Sequence, residues 1–322
     1  MRLKLVRQNT NFDFFNRARL WLGISLVMMV VAFGSFIIQG LNFGIDFQGG
    51  TSIRTESAQE VDVAAYRAAL EPLELGDVSI TEVFDVNFDE DQNVAMVRIQ
   101  AQEGDERIAT ETIQAIQAAL QTVDPDMTFP SVESVGPKVS GELINTAIIA
   151  VAFAVLAILG YIWLRFEWQF AVGAVLALTH DVILTIGIFS ELQIKFDLAI
   201  IAALLTIVGY SINDTVIVFD RVRENLRKYK KKDLKEVLNL SINETLSRTI
   251  MTSVTTLLAL ISLFVLGGDV IRGFVFAMIW GVLIGTYSSI FVASALLLVL
   301  GVKRDWSKKD PAAGTRYGHI DT

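Results

Sequence analysis

The 322-residue chain is 52% hydrophobic, has a mean hydropathy of +0.50 and carries a net charge of −8. That composition excludes an ordinary soluble globular protein. The absence of cysteine excludes disulfides, thiolate metal sites and thiol nucleophiles.

In chain order, a basic arm over 1–19 precedes the first of six apolar stretches long enough to cross about 30 Å of hydrocarbon. The six are Leu20–Gln39, Leu143–Leu164, Phe170–Phe189, Leu198–Phe219, Ile250–Leu266 and Phe274–Leu300. The first lacks a small-x-small cleavage pattern at Phe36–Gln39 and reads as a retained anchor. Between spans one and two, residues 40–142 form the one region polar enough for an independent domain. The stretch 41–141 holds five basic residues against nineteen acidic, a net charge near −14. The arm, the segment 220–249 and the tail 301–322 are rich in Lys and Arg instead; nine basic residues lie from Arg221 to Arg248. Six crossings put those three segments on one side. The basic excess makes that side cytoplasmic and the acidic domain external.

The external domain reads as alternating strands and helices. Asn42–Thr55 has strand character, broken at Gly49-Gly50, and is followed by a helix over Val61–Leu73 with Val63, Tyr66, Leu70 and Leu73 on one stripe. Val78–Val83 and Val94–Ile99 alternate as strands around an acidic turn at Asp89-Glu90-Asp91. Arg107–Val123 is a second helix, and Phe129–Val139 a last extended segment. The order βαββαβ is the split βαβ, ferredoxin-like arrangement. "FGIDFQGGT" (Phe43–Thr51) reads as a strand with a glycine bulge near the membrane exit, with Asp46, Gly49 and Gly50 as its marked positions.

Polar positions inside the spans are the candidates for function. In span four, Ile201, Leu205, Val208, Ile212, Val216 and Phe219 make one apolar face. Asp214 lies nearly opposite its centre, with Thr206, Tyr210, Ser211 and Asn213 on the same half. A charged group at depth costs about 2.5–3.5 kcal/mol even on lenient insertion scales and marks ion pathways, proton relays or locking ion pairs. Span five carries Arg248, Thr252, Thr255, Ala259 and Ser262 at spacings of four, three, four and three; span three carries Gly173, Ala177, Asp181 and Thr185, with His180 alongside. Gly281, Gly285 and Ser289 in span six have the spacing of a close helix–helix contact. One strong carboxylate, one arginine and several hydroxyls favour a titrating proton site over a metal cage. A carboxylate in low dielectric favours its protonated form and a nearby guanidinium the ionised one, so movement of Arg248 relative to Asp214 would switch proton affinity. No metal site or cofactor is indicated, and with only His180 and His319 available no nucleophile–base pair points to an enzyme.

"FGIDFQGGT", "ALTHDVILTIGIF", "FDLAIIAALLTIVGYSINDTVIVFDRVREN" and "NETLSRTIMTSVTTLLAL" together resemble the SecF family, from about residue 12 to residue 300. That family lies in the resistance-nodulation-division (RND) superfamily, in which a six-span half with an external domain pairs with a similar half. The resemblance implies a partner, SecD, and work on the SecYEG channel in the bacterial inner membrane, in company with YajC and YidC. There the proton-motive force would pull exported polypeptide outward. It also implies that Asp214 of "SINDT" and Arg248 of "LSRT" couple protons, with Ser211, Asn213, Thr252, Thr255, His180 and Asp181 as supporting polar groups. Two alternatives differ in class: an RND half-transporter exporting lipids or small amphiphiles, and a scaffold whose buried charges merely lock helices.

Overall fold

The computed structural model describes residues 10–76, 78–83, 92–100 and 110–302. The acidic turn at Asp89–Asp91, the first nine residues of the arm and the tail beyond Val302 lie outside them.

Helix α1 (Ala18–Gln39) enters, and a single helical turn, α2 (Ile45–Gln48), precedes the domain. The strand expected across Asn42–Thr55 therefore begins only at Gly50. The eight residues before it are bound to the membrane part rather than to the sheet, as described below. The domain comprises β1 (Gly50–Ser57), α3 (Val63–Leu70) with a 3-10 turn over Glu71–Leu73, β2 (Val78–Val83), β3 (Asn93–Gln100), α4 (Thr110–Leu120) and β4 (Thr128–Val135). Its sheet has the order β2-β3-β1-β4 and is antiparallel throughout. Alternation sends Ile53, Ala95, Val97 and Ile99 to one face, where they pack with Tyr66, Leu70, Ile116 and Leu120 of the two helices. The Asp62 carboxylate caps α3 by accepting from the amides of Ala64 and Ala65.

Five further membrane-length segments follow: α5 (Pro137–Arg165), α6 (Trp168–Glu191), α7 (Leu198–Lys228), α8 (Leu234–Leu266), and a sixth made of α9 (Asp269–Tyr287), a π turn (Ser288–Ala293) and α10 (Ser294–Leu300). With α1 they are six helices long and apolar enough to cross a membrane. All six expected spans are present, though most helices overrun their apolar cores. The basic segment 220–249 is mostly the continuation of α7 and the beginning of α8, joined by Tyr229–Asp233.

Burial separates the spans. In the most apolar stretch of α5 only 6% of positions are buried, and in α8 11%; the corresponding values are 56% in α6 and 61% in the sixth span. So α6, α7 and α9 make the centre, while α5 and α8 leave most of their surface outward. Small residues permit the close central contacts: a Cβ on Gly281 would overlap Ile207 of α7, and one on Gly285 would lie 3.1 Å from the Cβ of Ser211. Gly281 and Gly285 thus pack inside the chain, against α7, and Ser289 beyond them is buried. Below the spans, on the side away from the domain, α7 and α8 are clamped by Arg221 Nε donating to Glu244 (2.7 Å) and Asn225 Nδ2 donating to Ser241 (3.0 Å) and Glu244 (2.6 Å). The arm docks there too. The amides of Phe12 and Phe14 donate to Asn243 and Asn239, each at 2.9 Å.

Candidate intramembrane polar site

Two carboxylates are buried in the helical centre, and they have different surroundings. Asp181, on α6, is 0% exposed. One of its oxygens sits 2.9 Å from His180 Nδ1. The other accepts from Ser211 Oγ of α7 (2.6 Å) and from Ser288 Oγ at the start of the π turn (2.7 Å). Three spans therefore meet on one side chain. The His180 ring lies against Tyr287, 6.1 Å between centroids, and the Tyr287 hydroxyl donates to the Trp21 carbonyl of α1 and is 2.9 Å from Ser25 Oγ. A fourth span is thus tied to the same cluster. The π turn has a physical part in this. It widens the helix by one residue, so that Ser294 Oγ reaches back to the Ser289 carbonyl five residues earlier, and it presents Ser288 to the centre.

Asp214 is nearly as buried, 1% exposed, yet its Oδ2 is buried with no hydrogen-bond partner among the described residues. A buried polar atom without a partner costs about 1–3 kcal/mol, more when charged, so each such exception calls for a reason. Among the described residues Tyr210 Oη and Thr249 Oγ1, on α7 and α8, and His180 Nε2 of the Asp181 cluster are also buried without partners. Arg248 lies within electrostatic reach of Asp214 but forms no ion pair with it, and it is exposed on the outer surface of α8. The arginine-beside-aspartate arrangement considered from sequence is therefore open in this state.

The other expected positions divide in the same way. Ser211, His180 and Asp181 come together in the closed cluster. Asn213 and Thr255 are exposed and Thr252 half-buried. Both threonines return their hydroxyls to their own helix, Thr252 to the carbonyls of Arg248 and Thr249 and Thr255 to those of Met251 and Thr252. The polar stripe of span five consequently faces out of the chain. Ser288 and Tyr287 are further members of the site that were missed from sequence; Ser288 was readable in principle, since it lies seven and three residues after Gly281 and Gly285 on the same helical face. Asn239 and Asn243 were missed as well, although two Asn four apart on a helix are a readable signal for a docked strand of backbone.

Asp46, Gly49 and Gly50 lie together at the domain end of α7. Asp46 Oδ2 accepts from the Leu198 amide at 3.1 Å. Gly49 and Gly50 have φ of +74° and +128°, conformations that a side chain would strain.

Comparisons with known proteins agree with this architecture. The family model described as "Protein export membrane protein SecD/SecF, C-terminal" matches residues 115–303, and the "SecD/SecF GG Motif" model matches residues 34–61. The SecF protein translocase subunit of Cereibacter sphaeroides is 63% identical over 320 residues, covering 99% of each chain. That of Rhodobacter capsulatus is 59% identical over 317 residues, covering 97% of this chain and 95% of the relative. The crystal structure of SecDF, a translocon-associated membrane protein from Thermus thermophilus, superposes with a TM-score of 0.82 at 36% identity, covering 92% of this chain. This chain spans 39% of that SecDF chain. A SecDF structure in a super-membrane-facing form gives a TM-score of 0.67 at 37% identity, over 91% of this chain and 39% of that one. A multi-pass membrane protein with these relatives and these motifs belongs to the SecF family of protein translocase subunits.

Proposed function

We propose that the chain is the SecF half of a SecD–SecF pair that uses the proton-motive force to promote late-stage movement of polypeptide through the SecYEG channel, with YajC and YidC in the same assembly. Asp214 and Arg248 are its proton-coupling residues. The spans form one RND-type half in the inner membrane. Both termini are cytoplasmic, and residues 40–142 form a periplasmic, ferredoxin-like domain. The sheet order β2-β3-β1-β4, with a helix in each of the two crossover connections, supports that last reading. The SecDF neighbours, of which this chain matches 39%, support a second half. So does the outward stripe of Arg248, Thr255 and Asn213, since polar groups facing lipid are costly and a partner's helices would receive them.

The single observation that carries the reading is the unpartnered oxygen of Asp214 in a buried site, with a guanidinium on the next helix and no ion pair between them. A carboxylate that the chain leaves unsatisfied is free to exchange a partner during a cycle. In this scheme a proton arrives at Asp214 from one side and leaves to the other as Arg248 approaches and withdraws. The driving force suffices for modest conformational bias, since one elementary charge crossing the potential is worth about 2.3 kcal/mol per 100 mV. His180, Asp181 and Ser211 hold the helices around the site, while Asn213, Thr252 and Thr255 line its outer face.

The test is Asp214→Asn in the assembled complex, read as late-stage translocation in inverted vesicles with and without a proton gradient. The amide keeps size and polarity but does not exchange a proton near neutral pH. Expected is normal assembly with the gradient-dependent stimulation gone. Full stimulation in an assembled Asp214→Asn complex refutes the assignment.

A further inference from the structure

The segment between α1 and the sheet is bolted to the outer end of α7, and we infer that Asp46 is a positioning residue that transmits movement of the Asp214-bearing helix to the external domain. This rests on the proton-coupling reading of Asp214 and adds a route to it.

The joint is made of backbone and side chain together. The Gly44 amide donates to the Phe196 carbonyl (2.8 Å), and the Phe196 amide donates to the Asn42 carbonyl (2.8 Å), pairing Phe43 with Phe196 as a parallel bridge. Asn42 Nδ2 donates to the Gln193 carbonyl (2.9 Å), and Ser190 Oγ to the Gly40 carbonyl (2.7 Å). Phe43, Phe47 and Phe196 stack with centroids 5.7–6.1 Å apart. The approach at Gly44 is close: a Cβ there would lie 2.8 Å from Lys195 Cε, the end of a flexible side chain, and 3.2 Å from Asp197 Cβ. Asp46 completes the joint. Its carboxylate accepts from Leu198, the first residue of α7, while Asp197 caps the same helix from its own side by accepting from Ile200 (3.3 Å). The α7 N-terminus is thus held by two carboxylates, one of which belongs to the exit segment.

On the far side of Asp46 lie Gly49 and Gly50, and then β1, the strand between β3 and β4 in the sheet. Gly50 pairs with Val135, and β4 leads through Gly136 into α5, so both chain connections to the domain leave the sheet at one corner. Along α7, Asp214 is sixteen residues from Leu198, about 24 Å of continuous helix. A tilt or slide of α7 at Asp214 therefore arrives at Asp46, which moves with it as one piece. Gly49 and Gly136, just outside the paired strands, are where the domain can turn in response. Asp46 forms no contact with the proton site and acts only through α7.

Three variants in the assembled complex test this. Asp46→Asn keeps an oxygen that caps and is expected to hold gradient stimulation within about twofold of wild type. Asp46→Ala removes the cap and is expected to lower stimulation roughly fivefold, the scale of one lost cap in a two-state balance. It should leave gradient-independent translocation and partner copurification intact, and speed hydrogen exchange at Leu198. Asp214→Asn is the control. Loss of stimulation in Asp214→Asn but not in Asp46→Ala overturns the Asp46 route alone; retention in both overturns the underlying proton reading as well. Should Asp46→Ala fail to assemble, Phe43→Cys with Phe196→Cys decides, since the chain has no other cysteine. Closing that disulfide is expected to leave stimulation as in the reduced form, because the joint moves as a unit. Loss on oxidation means that the joint must open, which overturns the proposal.

Discussion

Asp181 and Asp214 are carboxylates of equal burial on neighbouring helices, and the chain treats them oppositely. Asp181 has a donor or ring nitrogen on each oxygen, drawn from His180, Ser211 and Ser288. Asp214 has an oxygen with none among the described residues. The Asp181 carboxylate is satisfied on both oxygens, although His180 Nε2 beside it is buried without a partner among the described residues. A satisfied carboxylate holds helices in one arrangement, whereas an unsatisfied one is costly unless another state or another chain completes it. The contrast supports the proposed reading, in which Asp181 belongs to the architecture and Asp214 to proton coupling.

The largest effect on the fold should come from Asp181→Leu. It strands His180, Ser211 and Ser288 in the centre and should destabilise the protein by on the order of 3–5 kcal/mol. Yield and melting temperature in mild detergent measure it. Asp214→Asn should instead cost only on the order of 1 kcal/mol, since no hydrogen bond to Oδ2 is lost. A melting temperature that falls as far for Asp214→Asn as for Asp181→Leu would abolish the distinction.

A smaller loss is expected from Gly285→Leu. Its added atoms meet Ser211, itself a ligand of Asp181, so overpacking of α9 on α7 should cost about 1–3 kcal/mol. A double-mutant cycle with Ser211→Ala sharpens the comparison. Coupling between the two substitutions locates the strain at the Asp181 cluster, and strict additivity would place it elsewhere.

The smallest effect concerns the arm. The side-chain amide of Asn239 holds the Asp13 carboxyl below its ordinary value, with Lys235 and the amides of Asn16 and Phe15 adding to this. Because the folded-state value is the lower one, the contribution is present above the unfolded value of 3.8 and fades as pH falls through the folded value. Arm docking on α8 should therefore be insensitive between pH 6 and 8 and loosen below about pH 4. Limited proteolysis near Phe12 across that range reads it out, and Asp13→Asn should remove the pH dependence.

Much of the architecture could be read from residue order. Hydropathy located all six spans, because hydrocarbon demands about twenty apolar residues whatever the neighbours are. Alternation and helical phase located the strands and helices of the domain, since each buries one face against a local core. Helical phase also singled out Asp214, Ser211 and the Gly281–Gly285 stripe, all of which point inward. Periodicity failed at Asn42–Gln48, where strand-like residues are held in a turn by the α6–α7 loop, and passed over Ser288 although it shares a helical face with Gly281 and Gly285.

Which of two buried aspartates is satisfied was decided only in three dimensions. Residue type and depth are properties of one helix and survive in a linear reading. Hydrogen-bond satisfaction depends on Ser211 and Ser288, 30 and 107 residues away from Asp181, and on the absence among the described residues of any comparable donor at Asp214 Oδ2. The same holds for Asp46, whose acceptor role depends on an amide 152 residues along the chain. Span number and position follow from the solvent, which acts on each segment alone. Pairing follows from packing, which brings atoms from several segments within about 3 Å and has no linear signature.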